Sequence, residues 1–357
     1  MISRFQLFAL CALTGCSGWS KASHAQTADS VSRHDRSQWV QSLRNRLGVK
    51  ADFNSRTQAF TVQNSAFNPD IRPNVAAQTD LSINYRFLSF RFGYAADWLP
   101  GNGDDAEKGA SRVRGVGVAL LLPHWFHDLG YQRTRGYYLA NTGEIDPAWK
   151  AGDPYRQFPD LVVTSLEGTS GYSFNPRFSV RALTLQTERQ LKSAGSFIPR
   201  AVYRFYVVDD QTPLLIPTSR SQRSDNLELM VGAGYHYTFV WRESFFVTAG
   251  VQAGVGYVFS KIVTRDQTGG VSTRQQNPVG RFDARLGCGY NGSRFFAGVI
   301  AQGDWTQFDQ AEGIATTREY RTIYHVFAGY RFGAPGGVRK LFDRLEEKGR
   351  AITSGRD

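Results

Sequence analysis

Cysteine is scarce in this chain: 357 residues contain three, and two of them, Cys11 and Cys16, fall in the first stretch. If the leader is cleaved after Ala25, Cys288 stands alone and an intramolecular disulfide is excluded in any compartment. No cysteine cluster has the spacing of a zinc site. After the N-terminus no run of about 18 apolar residues occurs, which excludes a transmembrane helix on length. Only 13 prolines and no low-complexity tract argue against a disordered or collagen-like chain. What is present is an unusual mixture, with a polar mean hydropathy of -0.37 beside 36 Gly, 25 Phe and an aromatic share of 13%. No break in composition marks a linker between residues 46 and 333, so one large all-β unit is the simpler reading.

The start of the chain reads as an export signal. Met1 to Arg4 is short and basic, and the apolar stretch Phe5 to Leu13 matches a signal-peptide core, too short to span. Two processing sites compete. Ser23-His24-Ala25 suits a general signal peptidase, whereas Leu13-Thr14-Gly15-Cys16 resembles a lipoprotein box that would acylate Cys16. The expected organisation is a signal peptide over 1–25, a periplasmic segment over 26–45, a barrel over 46–333 and a periplasmic tail over 334–357. The expected location is the bacterial outer membrane, part of the cell envelope. The formal charge of +11, with arginine dominating, fits a basic lumen or solvated basic residues at loops and headgroups. Nucleic acid is not an expected partner of an exported chain.

Period-two alternation over about ten residues is the signature of a membrane strand, weak per segment and cumulative over many. It recurs along most of the chain. Leu81, Ile83 and Tyr85 share one face against Asp80, Ser82, Asn84 and Arg86; Leu88, Phe90, Phe92 and Tyr94 oppose Ser89 and Arg91. Leu227 to Phe239 alternates apolar positions with Glu228, Gly232, Gly234 and His236, and Val247 to Phe259 returns the pattern with glycine on the other face. Phe282 to Tyr290, Phe295 to Trp305 and Tyr324 to Phe332 complete it, placing Cys288 toward lipid as a small apolar filler. A soluble sandwich alternates too. Strand length, short turns alternating with long loops, and Trp98, Trp125, Trp241 and Trp305 near strand ends favour the membrane, where an aromatic girdle belongs.

Short turns fall near Arg86-Phe87, Pro123-His124, Asn175-Pro176-Arg177, Arg242-Glu243 and Asn291-Gly292, the last a dipeptide that tolerates positive φ. Longer connections fall at 98–111, 140–159, 211–225, 265–277 and 308–318. With a bulged first strand in 46–64 and a single crossing in 177–208, parity gives an all-β fold, a closed antiparallel transmembrane barrel of about twelve strands (range about 10–14). A 32-residue strand would be about three times the crossing length. The middle of 177–208, from Thr187 to Ser196, must therefore project inward or form an exposed excursion. Outside the barrel, Trp39, Val40, Leu43 and Leu47, and again Val338, Leu341, Phe342 and Leu345, follow helical spacing and predict short flanking periplasmic helices.

Gly130-Tyr131-Gln132-Arg133-Thr134-Arg135-Gly136-Tyr137-Tyr138-Leu139, Pro159-Asp160-Leu161, and Gln186-Thr187-Glu188-Arg189-Gln190 followed by Lys192-Ser193-Ala194-Gly195-Ser196-Phe197 resemble domain-of-unknown-function family four-four-two-one. That group is regarded as outer-membrane barrels. The resemblance runs from about residue 45 to 333, and the Thr-Glu-Arg-Gln and Lys-Ser-Ala-Gly-Ser block is its most specific part. It implies location and fold, and brings no established reaction or ligand. One departure is the tail after Phe332, since barrel-assembly signals usually close on an aromatic residue.

A barrel interior is where function would sit. The candidate lumen or ligand residues are Glu188, Arg189, Lys192, Arg181, Arg200, Arg204, Arg285 and Arg91. If 187–196 enters the lumen, Arg189 and Lys192 form an anion site while Glu188 fixes Arg189; otherwise the charges are those of a solvated loop. The plainer reading of the wall is a network of Arg–carboxylate pairs that stiffens it. His236 and His325 share the lumen face, but no serine elbow or motif spacing links them to a nucleophile, and His124 and His127 match no metal motif. No catalytic residue, cofactor or metal is assigned. Expected partners are outer-membrane lipid, the barrel-assembly machinery and a small anionic solute passing through a narrow channel or binding in the lumen. The alternative is a non-catalytic scaffold or lipid-interaction protein, with a membrane-embedded enzyme the least favoured.

Overall fold

The computed structural model describes residues 35–55, 60–61, 69–215, 219–309 and 316–353; the expected signal peptide over 1–25 lies outside them. The strands in chain order are β1 (Val40–Ser42), β2 (Arg46–Asn54), β3 (Phe60–Thr61), β4 (Asp70–Arg72), β5 (Gln78–Tyr85), β6 (Leu88–Tyr94), β7 (Arg112–Leu121) and β8 (Trp125–Leu139). There follow β9 (Gln157–Tyr172), β10 (Glu188–Gln190), β11 (Ala194–Asp210), β12 (Ser221–Trp241), β13 (Phe245–Asp266), β14 (Gly269–Asn291), β15 (Phe295–Asp309) and β16 (Thr316–Gly333).

Twelve of these close an antiparallel ring. Around it the order is β2, β5, β6, β7, β8, β9, β11, β12, β13, β14, β15 and β16; β16 returns to β2, and β8 pairs directly with β9. The count and closure are those the turn parity predicts. Alternation sets the faces: Leu81, Ile83, Phe90, Phe92, Val231, Val247, Val255, Leu286, Val299 and Val326 are exposed outward, where a bilayer solvates them. Residues on the opposite faces, such as Ser82, Asn84, Thr248, Gln252 and Asp283, are buried in the lumen. Closure leaves no unpaired edge, which is what lets strands cross hydrocarbon. Trp98, Trp125, Trp241 and Trp305 all remain exposed near strand ends.

The wall is uneven. β12, β13 and β14 are 21, 22 and 23 residues long, whereas β5 and β6 have 8 and 7. At about 3.3 Å per residue the tall strands far exceed a crossing of about 10 residues. The connection predicted at 265–277 is consequently a tight turn between Asp266 and Gly269, with β14 running unbroken through the rest. The alternation gives no warning because Val271 is exposed, as are Ser272, Thr273 and Arg274: beyond the membrane both faces meet water. Likewise β12 already begins at Ser221, inside the predicted 211–225 connection. β2 is an unbulged strand, and 56–59 and 62–68 lie outside the described residues.

The predicted short turn at Asn175-Pro176-Arg177 is replaced by a longer segment. After β9 ends at Tyr172 the chain does not return until Ala194. Residues 173–193 fold inward and fill the short-turn end of the lumen, carrying a one-turn helix, Val180–Thr184, and β10. Of the two alternatives for 187–196, the inward one is observed for 187–193, while Ala194 to Ser196 already belong to β11. The N-terminal helix predicted from Trp39, Val40, Leu43 and Leu47 is not formed. Val40–Ser42 is instead a strand paired with β10, and Leu47 is on β2. The free backbone edge of the plug offers Val40–Ser42 partners that an isolated helical turn lacks.

The C-terminal helix is formed over Gly336–Thr353. Phe342 packs edge-to-face on Tyr85, with ring centroids 4.8 Å apart, and contacts Phe87. Tyr85 belongs to the outward row of Leu81 and Ile83, yet only 4% of it is exposed. The helix therefore lies against the outer flank of the barrel base.

Candidate functional site

The plug is organised around Glu188. Its carboxylate accepts from both terminal nitrogens of Arg36 at 3.2 and 2.9 Å, pairs with Arg181 at 2.9 Å and accepts the hydroxyl proton of Ser179. Ser179 also caps the plug helix, its Oγ accepting from the Ala182 amide at 2.9 Å. Burial pushes the Glu188 carboxyl upward, but Arg181 and Arg36 outweigh it and hold the group below the usual carboxylate range. Arg36 further donates from Nε to the Pro176 carbonyl, so the N-terminal segment is tied to the plug by charge as well as by the β1–β10 ladder.

Arg189 faces the other way. It donates to the carbonyls of Asn291 at 2.9 Å and Glu243 at 3.2 Å, to Ser244 Oγ and to Gln41. Glu188 thus fixes Arg36 and Arg181, and the expected Glu188–Arg189 pair is absent. Lys192 lies over the Trp39 ring, 5.5 Å from its centroid, on the outer side of the plug. Arg189 and Lys192 accordingly do not converge on one site.

Three further ties lock plug to wall. Arg331 of β16, 1% exposed, donates from Nε to the Gln186 carbonyl at 2.7 Å and to Gly292 O and Asn291 Oδ1. Asn291 in turn donates to the Glu188 carbonyl at 3.1 Å. Neither Asn291 nor Gly292 takes a positive φ; the asparagine serves through its side chain. Thr187 Oγ1 donates to the Arg86 carbonyl, and Arg86, in a turn at φ 52, reaches outward to Asp343 at 2.8 Å and Glu346 at 3.1 Å of the C-terminal helix.

Above the plug lies a lumen cavity of about 360 Å³. Its floor is apolar, made by Phe178, Val180, Leu183 and Leu185 of the plug with Phe126 and Ile198 of the wall. Its sides carry Arg91, Arg200, Arg285, Asp80, Asp128, Glu167 and His236. Most of these charges are matched. Arg91 reaches Asp128 at 3.3 Å across Gly117, Arg200 pairs with Asp283, and above them Arg204 and Arg281 share Glu228 at 3.4 and 3.2 Å. On the opposite wall His325 meets Asp52 at 3.0 Å, and Lys50 donates to the Thr184 carbonyl of the plug at 3.2 Å.

Arg285 is the exception. Among the described residues no carboxylate lies within ion-pair distance of it, and its buried Nε has no hydrogen-bond partner. Gly250 of β13 stands opposite Arg285 on β14 and opposite His236 on β12. A side chain there would meet the His236 ring, 2.1 Å from Nδ1, so the absent Cβ lets the imidazole lie across β13 toward Arg285. His236 Nδ1 is likewise buried and unpartnered. Of the sequence candidates, then, Glu188, Arg181 and Arg189 belong to the plug scaffold, and Lys192 lies on the plug's outer, exposed side. Arg91, Arg200 and Arg204 are paired in the wall, and Arg285 alone presents an unmatched charge. Sequence reading grouped His236 with the lumen face but could not join it to Arg285, because the link runs through Gly250, a residue with no side chain.

A second concavity, of about 1140 Å³, lies on the outer wall around Gly280 between Tyr203, Tyr257, Phe282 and Trp305. It is a dent in the lipid-facing surface, where a small residue sits among large ones. No group of three His, Cys, Asp or Glu side chains that could hold a metal occurs among the described residues.

These features define a class, a plugged twelve-stranded antiparallel barrel of the outer-membrane type. Within it, the chain belongs to the family described as Domain of unknown function (DUF4421), whose model matches residues 29–332. Similar solved structures include the beta domain of the Bordetella autotransporter BrkA, at 12% identity over 81% of this chain and 100% of that one with a TM-score of 0.41. Another is the outer membrane protease OmpT from Escherichia coli, at 7% identity over 81% and 97% with a TM-score of 0.38. The ferric citrate transporter FecA is similar at 9% identity over 80% of this chain and 42% of that one, with a TM-score of 0.32. No curated protein matches by sequence.

Proposed function

We propose that this barrel is a binding cup for a small anionic solute, entered from the long-loop side and closed by the plug at the short-turn end. The observation that carries the reading is Arg285, a cation in the cavity wall with no carboxylate at ion-pair distance among the described residues and a buried Nε without an acceptor, beside His236, whose buried Nδ1 is unpartnered too. A buried donor left without an acceptor is costly, and a wall that matches Arg91, Arg200 and Arg204 with carboxylates leaves the half-buried Arg285 guanidinium for an incoming anion. The plug argues against steady conduction. Reconstituted in planar bilayers, the protein is expected to show no steady current, and deletion of residues 176–192 to produce one. Radiolabelled phosphate or butyrate is expected to bind saturably and to lose at least tenfold in affinity in Arg285→Gln. A steady wild-type conductance, or anion binding indifferent to Arg285, would reject the cup.

The scaffold or lipid-interaction reading draws on a different observation. On the C-terminal helix Leu341 and Leu345 are exposed beside the covered Tyr85, flanked by exposed Arg339, Lys340, Arg344 and Lys348. That arrangement suits a helix lying in a headgroup layer. A Leu341→Trp variant in vesicles is expected to be quenched by brominated lipid; an unquenched, water-like emission would dismiss the contact.

A further inference from the structure

We infer that the ligand of this cup is an amphiphile, a monocarboxylate with an apolar tail, whose head meets Arg285 and His236 and whose tail lies on the plug. The inference rests on the anion-cup reading and adds to it the chemistry of the floor. A compact inorganic anion uses only the polar side of the cavity. The other side is lined by apolar side chains, the half-buried Val180 and Phe126 with the nearly buried Phe178, Leu183, Leu185 and Ile198 packed around them, and all of them border the same cavity as Arg285 and His236. At about 360 Å³ the space is at the lower end of organic-ligand pockets, which run from roughly 300 to 1,000 Å³ and combine apolar lining with a few convergent polar groups. A single charge is indicated because Arg91 and Arg200 are already held by Asp128 and Asp283, leaving one cation free. A cationic or neutral head would leave Arg285 without a counter-ion at contact distance.

The floor also gives the plug a second role. Leu183 belongs to the helix capped by Ser179, the hydroxyl that also donates to Glu188. The tail would therefore rest on the element that seals the barrel.

The test is a chain-length series on the intact protein in zwitterionic nanodiscs, with empty discs subtracted, because detergent would compete for the site. Butyrate, hexanoate and octanoate are titrated beside inorganic phosphate and octylammonium. Affinity is expected to rise about fourfold per methylene while the tail is in contact, since each buried methylene contributes about 0.8 kcal/mol. Octylammonium is expected not to compete. Arg285→Gln is expected to weaken octanoate at least tenfold, and Leu183→Asn to flatten the series while butyrate binding is kept. Equal affinity for butyrate and octanoate, both dependent on Arg285, would overturn the amphiphile and leave the anion cup standing. Octylammonium binding as tightly as octanoate, or no anion binding at all, would overturn both. The wild-type series decides between these outcomes even if Leu183→Asn fails to fold.

Discussion

Glu188 in the plug, fully buried, and Arg285 in the wall above it, half-buried, are both charges turned into one barrel, and their surroundings are opposite. Glu188 has two guanidiniums, a hydroxyl and a capped helix turned toward it; Arg285 has an unpartnered Nε and a glycine beside it. The difference teaches how to separate structure from function in a wall crowded with arginine. Where charge is matched on every side, removing one member leaves the others stranded, and the group belongs to the scaffold. Where charge is unmatched, the fold bears a cost and gains nothing from the group until a ligand arrives.

The comparison predicts effects of opposite sign. Glu188→Gln strands Arg36 and Arg181 in a buried site and is expected to cost about 3–5 kcal/mol, the range for breaking a buried ion pair. Urea unfolding in lipid vesicles, followed by tryptophan emission, measures it. Arg285→Gln is expected to leave stability unchanged or raised in the same assay. Equal losses for the two variants would erase the distinction between scaffold and site. Next in size is the lipid face: Leu81→Arg is expected to cost about 2–4 kcal/mol if its position is at the bilayer midplane, against a near-neutral Ser272→Arg on the exposed extension of β14.

A pH titration sharpens the contrast. The Glu188 carboxyl is held below its ordinary value by Arg181 and Arg36, which outweigh its burial. Its stabilising contribution is therefore fully present above the unfolded carboxylate value of about 4.3. It is lost as pH falls through the lower folded value. Stability in wild type is thus expected to drop on the acid side with a component that Glu188→Gln lacks; parallel curves would show that Glu188 does not titrate with folding. The smallest effect belongs to Asp343, an exposed carboxylate held low by its hydrogen bonds from Arg86 and Arg44. Asp343→Asn is expected to loosen the C-terminal helix without unfolding the barrel, seen as faster trypsin cleavage between Arg339 and Lys348.

Much of the wall was legible because a membrane strand repeats every two residues and lipid tolerates few exceptions on its face. Leu81, Ile83, Phe90 and Phe92 announce their orientation without reference to anything distant. Beyond the membrane that discipline ends, which is why Val271 to Asn277 read as a loop and is strand. The helical spacing of Trp39, Val40, Leu43 and Leu47 misled for a related reason: Val40–Ser42 takes its structure from β10, about 150 residues away. The candidate list found Arg285 but could not rank it above Arg200 or Arg91. That ranking depends on whether Asp283 and Asp128 reach across the wall, which local pattern does not encode.

By itself the sequence determined a closed ring of about twelve strands, the lipid-facing rows and the presence of an interruption within 177–208, because each follows from the two-residue period and the length of a crossing; the bounds of that interruption, 173–193, came from the fold. Only the tertiary structure decided that the interruption becomes a plug, that Glu188 holds Arg36 and Arg181 rather than Arg189, and that Arg285 is left with an unmatched charge beside His236. Pairing of charges is a matter of distance between strands, and closure of the ring sets those distances.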